Sequence, residues 1–229
     1  MKKLFSSLQL HFFTNNDDVP ATSAVIKELM SNLDSFDLMP TFGNEFNHQT
    51  NESRKFACMV TSDESFKVQF LSGDIFISAE NYDLEAFVKR SVQILESLAK
   101  LYPQKRAGRI SILFTEAFIG SEDLYNKAFT SLFTDNSKTP FEWDNRIVHK
   151  VNSFERLNSV EVVTRAVVQP NNSSMRHDAL VYDFDINTEF ENQTARFALQ
   201  NANEYYQKIF EHLSDIKANK YKRLETTYE

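Results

Sequence analysis

FACMVTSDESFKVQFLSGDIFISAENYDLEAFVKRSVQILESLAKLY, residues 56–102, decides the fold class. Three short runs come first, at 56–62, 66–71 and 74–79. In the second, Phe66, Val68 and Phe70 alternate with Lys67 and Gln69; in the third, Ile75 and Ile77 alternate with Phe76 and Ser78. A period of two puts one set on a buried sheet face and the other on the opposite face. Ser72-Gly73 between the runs is a two-residue hairpin signal. The period then changes. Leu84, Phe87, Val88, Val92, Leu95, Leu98 and Tyr102 recur at spacings of three and four, behind Asp83 as N-cap and ahead of Pro103 as a stop. Consecutive strands followed by a long helix predict an α+β fold, an antiparallel β-sheet with long covering helices. A parallel sheet would need strands and helices to alternate one for one.

Outward from this stretch the same signals continue. Residues 5–14 read as a strand and 20–36 as a helix, with Val25, Ile26, Leu29, Met30 and Leu33 on one side. Residues 38–55, with Pro40, Gly43 and several asparagines, read as a long polar loop. A strand at 108–118 and a helix at 122–133 follow. Residues 146–157 and 159–169 read as a hairpin about Asn158, and 179–187 as a strand. A final helix is predicted over 194–224, with Ala198, Ala202, Tyr205, Ile209, Leu213 and Ile216 inward. The stretches 56–102 and 146–224 share a βββα order, which suggests an internal duplication. The chain reads as a single domain over 1–229, or as two tightly packed halves of about 1–120 and 121–229.

Composition narrows the function. The chain has four glycines in 229 residues against 21 phenylalanines. Phosphate loops need clustered glycines so that backbone N–H groups can approach an anion. Gly43, Gly73, Gly108 and Gly120 stand apart and form no GxGxxG, GxxxxGK[ST] or GxSxG. The formal net charge of −7 argues against a dedicated DNA or RNA binder, although it leaves room for a local basic patch. A single cysteine, Cys58, allows no internal disulfide and fits a reducing compartment. The opening MKKLFSSLQLHFF has two lysines and an apolar run, but Ser6, Ser7, Gln9 and His11 interrupt it, so it reads as a strand rather than a signal peptide. A cytoplasmic location is expected.

The runs "F-x-x-M-V-T-S-D-E-S-F-K-V-Q-F", "I-F-I-S-x-x-x-Y" and "R-A-G-R-I-S-I", between Phe56 and Ile112, carry a resemblance, as do "L-V-Y-D-F-D-I" and "Y-x-x-I-F" nearer the C-terminus. Over about two thirds of its length the chain resembles a sporadically distributed, uncharacterised bacterial family. Members carry an Arg-x-Gly-Leu-Arg-Tyr-type strand after the first long helix; here Arg106, Gly108 and Arg109 are followed by Ser111 and Ile112. The resemblance implies an α+β fold and a mobile accessory role such as phage defence. It implies no catalytic residue.

The candidate sites are few. Asp183 and Asp185 lie on one strand face about 7 Å apart, a spacing that could share Mg²⁺ or Mn²⁺; the plainer reading is the solvent face of an amphipathic strand. The five histidines show no HxH or HxxxH spacing, and Cys58 sits in an apolar run, where a thiol is an inert small hydrophobe. Lys100, Lys105, Arg106 and Arg109 form one basic cluster, and Lys217, Lys220, Lys222 and Arg223 another. Cations favour helix C-termini, but clusters sharing one face could hold nucleic acid, with Lys105, Arg106 and Arg109 as contacts. Phe42 and Phe46 lie four apart in the polar 38–55 segment, where large apolar side chains either fold inward or meet a partner. The leading reading is a non-catalytic protein-binding or adaptor module, acting as a homodimer, with Phe42, Phe46, Lys220 and Arg223 as contacts and no cofactor. The alternatives are a divalent-metal-dependent enzyme on a phosphate-containing substrate and a nucleic-acid-binding protein.

Overall fold

The computed structural model describes residues 1–47, 51–133, 139–171, 173–192 and 194–226, with side chains of the last helix described to Tyr221. The stretch 56–102 folds as its periodicity predicts. Strands β3 (Glu52–Val60), β4 (Phe66–Leu71) and β5 (Asp74–Glu80) lead into helix α2 (Leu84–Leu101). Asp83 caps that helix, its carboxylate accepting from the Ala86 N–H at 2.9 Å. Before them come β1 (Lys2–Phe13), α1 (Ser23–Leu33) and β2 (Met39–Asn47). Thr22 caps α1. After α2 follow β6 (Arg106–Ala107), β7 (Arg109–Ile119), α3 (Glu122–Leu132), β8 (Trp143–Asn152), β9 (Arg156–Val168), β10 (His177–Thr188), β11 (Phe197–Ala198) and α4 (Ala202–Thr226).

Nine of these strands make one antiparallel sheet, ordered β2-β3-β4-β5-β1-β7-β10-β9-β8. β1 sits at its centre. It pairs with β5 from Ser7↔Glu80 to Phe12↔Ile75 and with β7 from Lys2↔Ile119 to Phe13↔Arg109. Leaving aside the two-residue strands β6 and β11, the chain runs β-α-ββββ-α through α2 and β-α-βββ-α from β7 to α4. The first strands of these two series, β1 and β7, are the pair that joins them.

Period two divides the sheet's side chains. Leu8, Leu10 and Phe12 of β1, Ile110, Ile112 and Phe114 of β7, and Tyr182, Phe184 and Ile186 of β10 belong to one buried cluster. The buried residues of all four helices belong to that same cluster, among them Leu29, Leu95, Phe129 and Ile209. The helices therefore cover one face. Tyr206 of α4 is fully buried there and donates its hydroxyl to the His11 carbonyl at 2.6 Å. No described helix is long and apolar enough to cross a membrane.

Three predicted boundaries change. Within the 38–55 segment, residues 39–47 and 52–55 belong to β2 and β3, which pair antiparallel from Met39↔Val60 to Asn47↔Glu52; the polar sequence of β2 suits a sheet edge, where only one side must satisfy the ladder. The β8–β9 turn falls at Ser153–Glu155, and Asn158 lies within β9, donating its amide to Asn187 of β10 at 3.0 Å. The last helix starts at Ala202, because residues 197–198 pair with β6 instead. Its fully buried tyrosine is Tyr206, while Tyr205 is partly buried against the same core.

Gly43 stands on β2 opposite Phe56, and a Cβ there would lie 2.1 Å from the Phe56 ring. Gly43→Ala should therefore cost about 1–3 kcal/mol through overpacking. Gly73→Ala, where an added Cβ meets nothing within 4 Å, should be neutral or slightly stabilising. Urea titration of both variants checks the contrast. Cys58 is buried, and burial pushes its thiol up to about 11. The native protein should resist alkylation by iodoacetamide at pH 7.5 and react once unfolded.

Candidate nucleic-acid interface

The other set of alternating side chains has no helix over it. From β4 across to β10 it consists of Lys67, Gln69 and Leu71; Phe76 and Ser78; Gln9, His11 and Phe13; Arg109, Leu113 and Thr115; and Asp183 and Asp185, all half-buried. Cross-strand register aligns these residues in rows. One row runs Gln69, Phe76, His11, Ser111, Asn187 and Asn158. Beyond β4 the same face carries a small buried cluster of Phe56, Cys58 and Val60 with Leu71 against it. Three aromatic rings on an uncovered sheet face cost solvation unless something stacks on them.

His11 is the centre of this face. Its Nδ1 lies 2.6 Å from Asp74 Oδ2, so the Nδ1 proton is donated to the carboxylate and Nε2 points elsewhere, 3.5 Å from Gln9 Oε1. The imidazole stacks against Phe76 at 4.7 Å and against Phe13 at 5.2 Å between ring centroids. Burial raises the pKa of Asp74, against the hydrogen bond and charge of His11. Two strands over, burial also raises the pKa of Asp185, against a hydrogen bond from Asn187 and the charges of Arg109, His11 and Arg146. The arrangement is a flat, partly apolar platform of rings with amides between them. It offers π-faces and hydrogen-bond donors, which suits a planar, polar-edged ligand such as a nucleobase.

The residues singled out in the sequence are scattered by the fold. Asp183 and Asp185 do share this face, but Asp183 accepts from Thr115 Oγ1 at 2.6 Å. Among the described residues no group of three His, Cys, Asp or Glu side chains could hold a metal ion. Lys105 is 8% exposed, and its ammonium donates to Asn15 O, Asn16 Oδ1 and Asp18 Oδ1 at 2.9, 3.1 and 2.6 Å. It pins the 14–18 segment and has little left for a ligand. Arg106 and Arg109 stay together at the rim of the open face. Lys217 and Lys220 point to the opposite, helix-covered side, 3.3 Å from Glu116 and 3.4 Å from Glu161. Among the described side chains the two basic clusters share no face.

The adaptor reading is corrected on the same geometry. Phe42 and Phe46 are not in a loop; they lie on edge strand β2, about half exposed, with the Lys55 ammonium 4.0 Å over the Phe42 ring. Lys220 is 7% exposed and ion-paired to Glu161 on β9. Six strands lie between β2 and β9, so seven spacings of about 4.8 Å put them roughly 34 Å apart along the sheet. Those residues do not make one contact surface. The Arg223 side chain lies outside the described residues. At its last described side chain α4 packs on the sheet: Tyr221 donates to Glu116, which also accepts from Lys3 at 2.8 Å. Sequence reasoning missed His11–Asp74, because the pair joins residues 63 apart. The one available signal was the placement of His11 and Phe13 on the polar phase of an amphipathic strand.

No family model and no curated protein matches the chain, which agrees with a resemblance to a family without an assigned activity. The chain is similar to the solved structure of a rolling circle replication initiator protein from Geobacillus stearothermophilus, with a TM-score of 0.28 and 12% identity over 81% of this chain and 74% of that one. A likeness so weak fixes neither topology nor activity. The correction above stands on the placement of the side chains.

Asp185 gives a test of the electrostatics. Its native pKa is raised, so folding favours the protonated form. Below the ordinary carboxylate value of about 3.9 folded and unfolded chains are both protonated and no penalty exists. As pH rises through the native value the buried charge appears and stability falls. Asp185→Asn should therefore raise Tm at pH 7 by roughly 2–4 °C, the shift for about 1 kcal/mol in a chain of this size. The gain should shrink as the pH approaches 4. Scanning calorimetry at both pH values would show the reverse if Arg109 and Asn187 outweighed burial.

Proposed function

We propose that the uncovered face of the central sheet binds single-stranded nucleic acid. The observation that carries this reading is the half-buried stack of Phe13, His11 and Phe76 on a sheet face that no described helix covers. Unpaired bases can splay out and stack on such rings, with the Gln9 and Gln69 amides beside them for base edges. A duplex is a poor fit, since its bases are already stacked on one another. The chain's net charge of −7 is compatible with this mode, because stacking rather than phosphate neutralisation supplies the affinity. A cytoplasmic setting accords with the free thiol of Cys58.

The reading has a quantitative consequence. Fluorescence anisotropy with labelled oligonucleotides at roughly 50 mM salt should show micromolar or tighter binding to single strands and weaker binding to the matching duplex. Phe76→Ala should weaken it about tenfold, within the roughly 1–3 kcal/mol that one stacked base contributes. With two arginines at the rim, the slope of log K against log salt should be no steeper than about −2. Unchanged anisotropy at tens of micromolar protein would end the proposal.

A further inference from the structure

Where β1 ends, the open face runs into a cavity of about 540 Å³. Phe13, Gly73, Arg106, Arg109 and Phe190 line it, with Asn15 from the segment that Lys105 pins. The Arg109 guanidinium is held between two rings, 5.0 Å from the Phe13 centroid and 5.9 Å from that of Phe190. Its Nε is buried and has no hydrogen-bond partner. Arg54, Arg156, Arg165 and Arg196 each have a carboxylate oxygen within 4.0 Å. Among the described residues neither Arg106 nor Arg109 has one so close. Asp74 and Asp185 face Arg109 at longer range from β5 and β10, and Asp74 is already bonded to His11. Two neighbouring guanidinium groups without a carboxylate, one with an orphaned buried N–H, form an anion site that the protein's own side chains leave unfilled.

The charge of the site says which anion. Thr14, Asn15, Phe190 and Ala195 complete its lining, beside the rings of the open face. A terminal phosphomonoester carries close to two charges and three free oxygens, which two forked guanidinium groups match better than they match the single charge of an internal diester. We propose that this cavity binds the terminal phosphate of a single-stranded nucleic acid. The inference rests on the reading of the open face as a nucleic-acid platform and adds to it the end of the strand.

Gly73 makes the test clean. It lines the cavity, an added Cβ there meets no atom within 4 Å, and its backbone is outside the left-handed region. Gly73→Leu should fill the space without disturbing the fold, and Arg106→Gln removes an exposed charge; unchanged Tm checks both. Anisotropy is measured for one oligonucleotide sequence bearing a 5′-phosphate, a 3′-phosphate or neither, with adenosine monophosphate as competitor. A phosphate at one end should tighten binding about tenfold or more. Both variants should lose that preference; Gly73→Leu should still bind the unphosphorylated strand as the wild type does, whereas Arg106→Gln should bind it somewhat more weakly, with a shallower salt slope. Equal affinity of the wild type for all three strands would overturn the cavity's role and leave the platform standing. A preference that survives in both variants would overturn it as well. Binding of the monophosphate without binding of any strand would sink the platform and leave the anion site. Binding of neither would sink both.

Discussion

The ladder between β1 and β7 is the constraint on which the rest of the molecule depends. It runs from Lys2↔Ile119 to Phe13↔Arg109 and, among the described residues, is the only ladder between the five strands on one side and the four on the other of the nine-stranded sheet. Because side chains alternate with a period of two, the register that buries Leu8, Leu10 and Phe12 also turns His11 and Phe13 to the other face, beside Ser111 and Arg109. A one-residue slip would exchange the core for the platform. The stability of the fold and the composition of its open face are thus set by the same pairing.

That pairing also explains why the open face can be so mixed. The helix-covered side holds the large side chains that drive folding, with Phe12, Phe66, Phe70, Phe87, Phe114 and Phe184 at most 2% exposed. The other side is free to hold rings, amides and two carboxylates whose ionisation burial opposes. The His11–Asp74 bond fixes the imidazole between Phe13 and Phe76, so the three rings form one preorganised surface. A preorganised platform loses little side-chain entropy on binding.

The basic residues divide by what they face. Lys105, Lys217 and Lys220 are consumed by the fold: one holds the 14–18 segment, and two neutralise Glu116 and Glu161 beneath α4. A buried carboxylate without such a cation would be costly, so those lysines are structural by necessity. Arg106 and Arg109 have no such duty within the described residues. Adjacent cations in a sequence are therefore poor guides to a surface patch, since strand and loop geometry aim neighbours in opposite directions.

Local periodicity was enough to establish the α+β class, the elements from Phe56 to Tyr102, and the alternation of Leu180, Tyr182, Phe184 and Ile186, because those patterns are properties of neighbouring residues. It was also enough to place Asp183 and Asp185 on one face. It misread 38–55, since an edge strand with Pro40, Gly43 and asparagines is strand only by virtue of the partner that pairs with it, and it misplaced the turn at Asn158 for the same reason. Which face the helices cover, that His11 meets Asp74, and that Arg109 is left without a carboxylate were decided by tertiary structure alone. Each depends on contacts between residues far apart along the chain, and no short window of sequence carries that information.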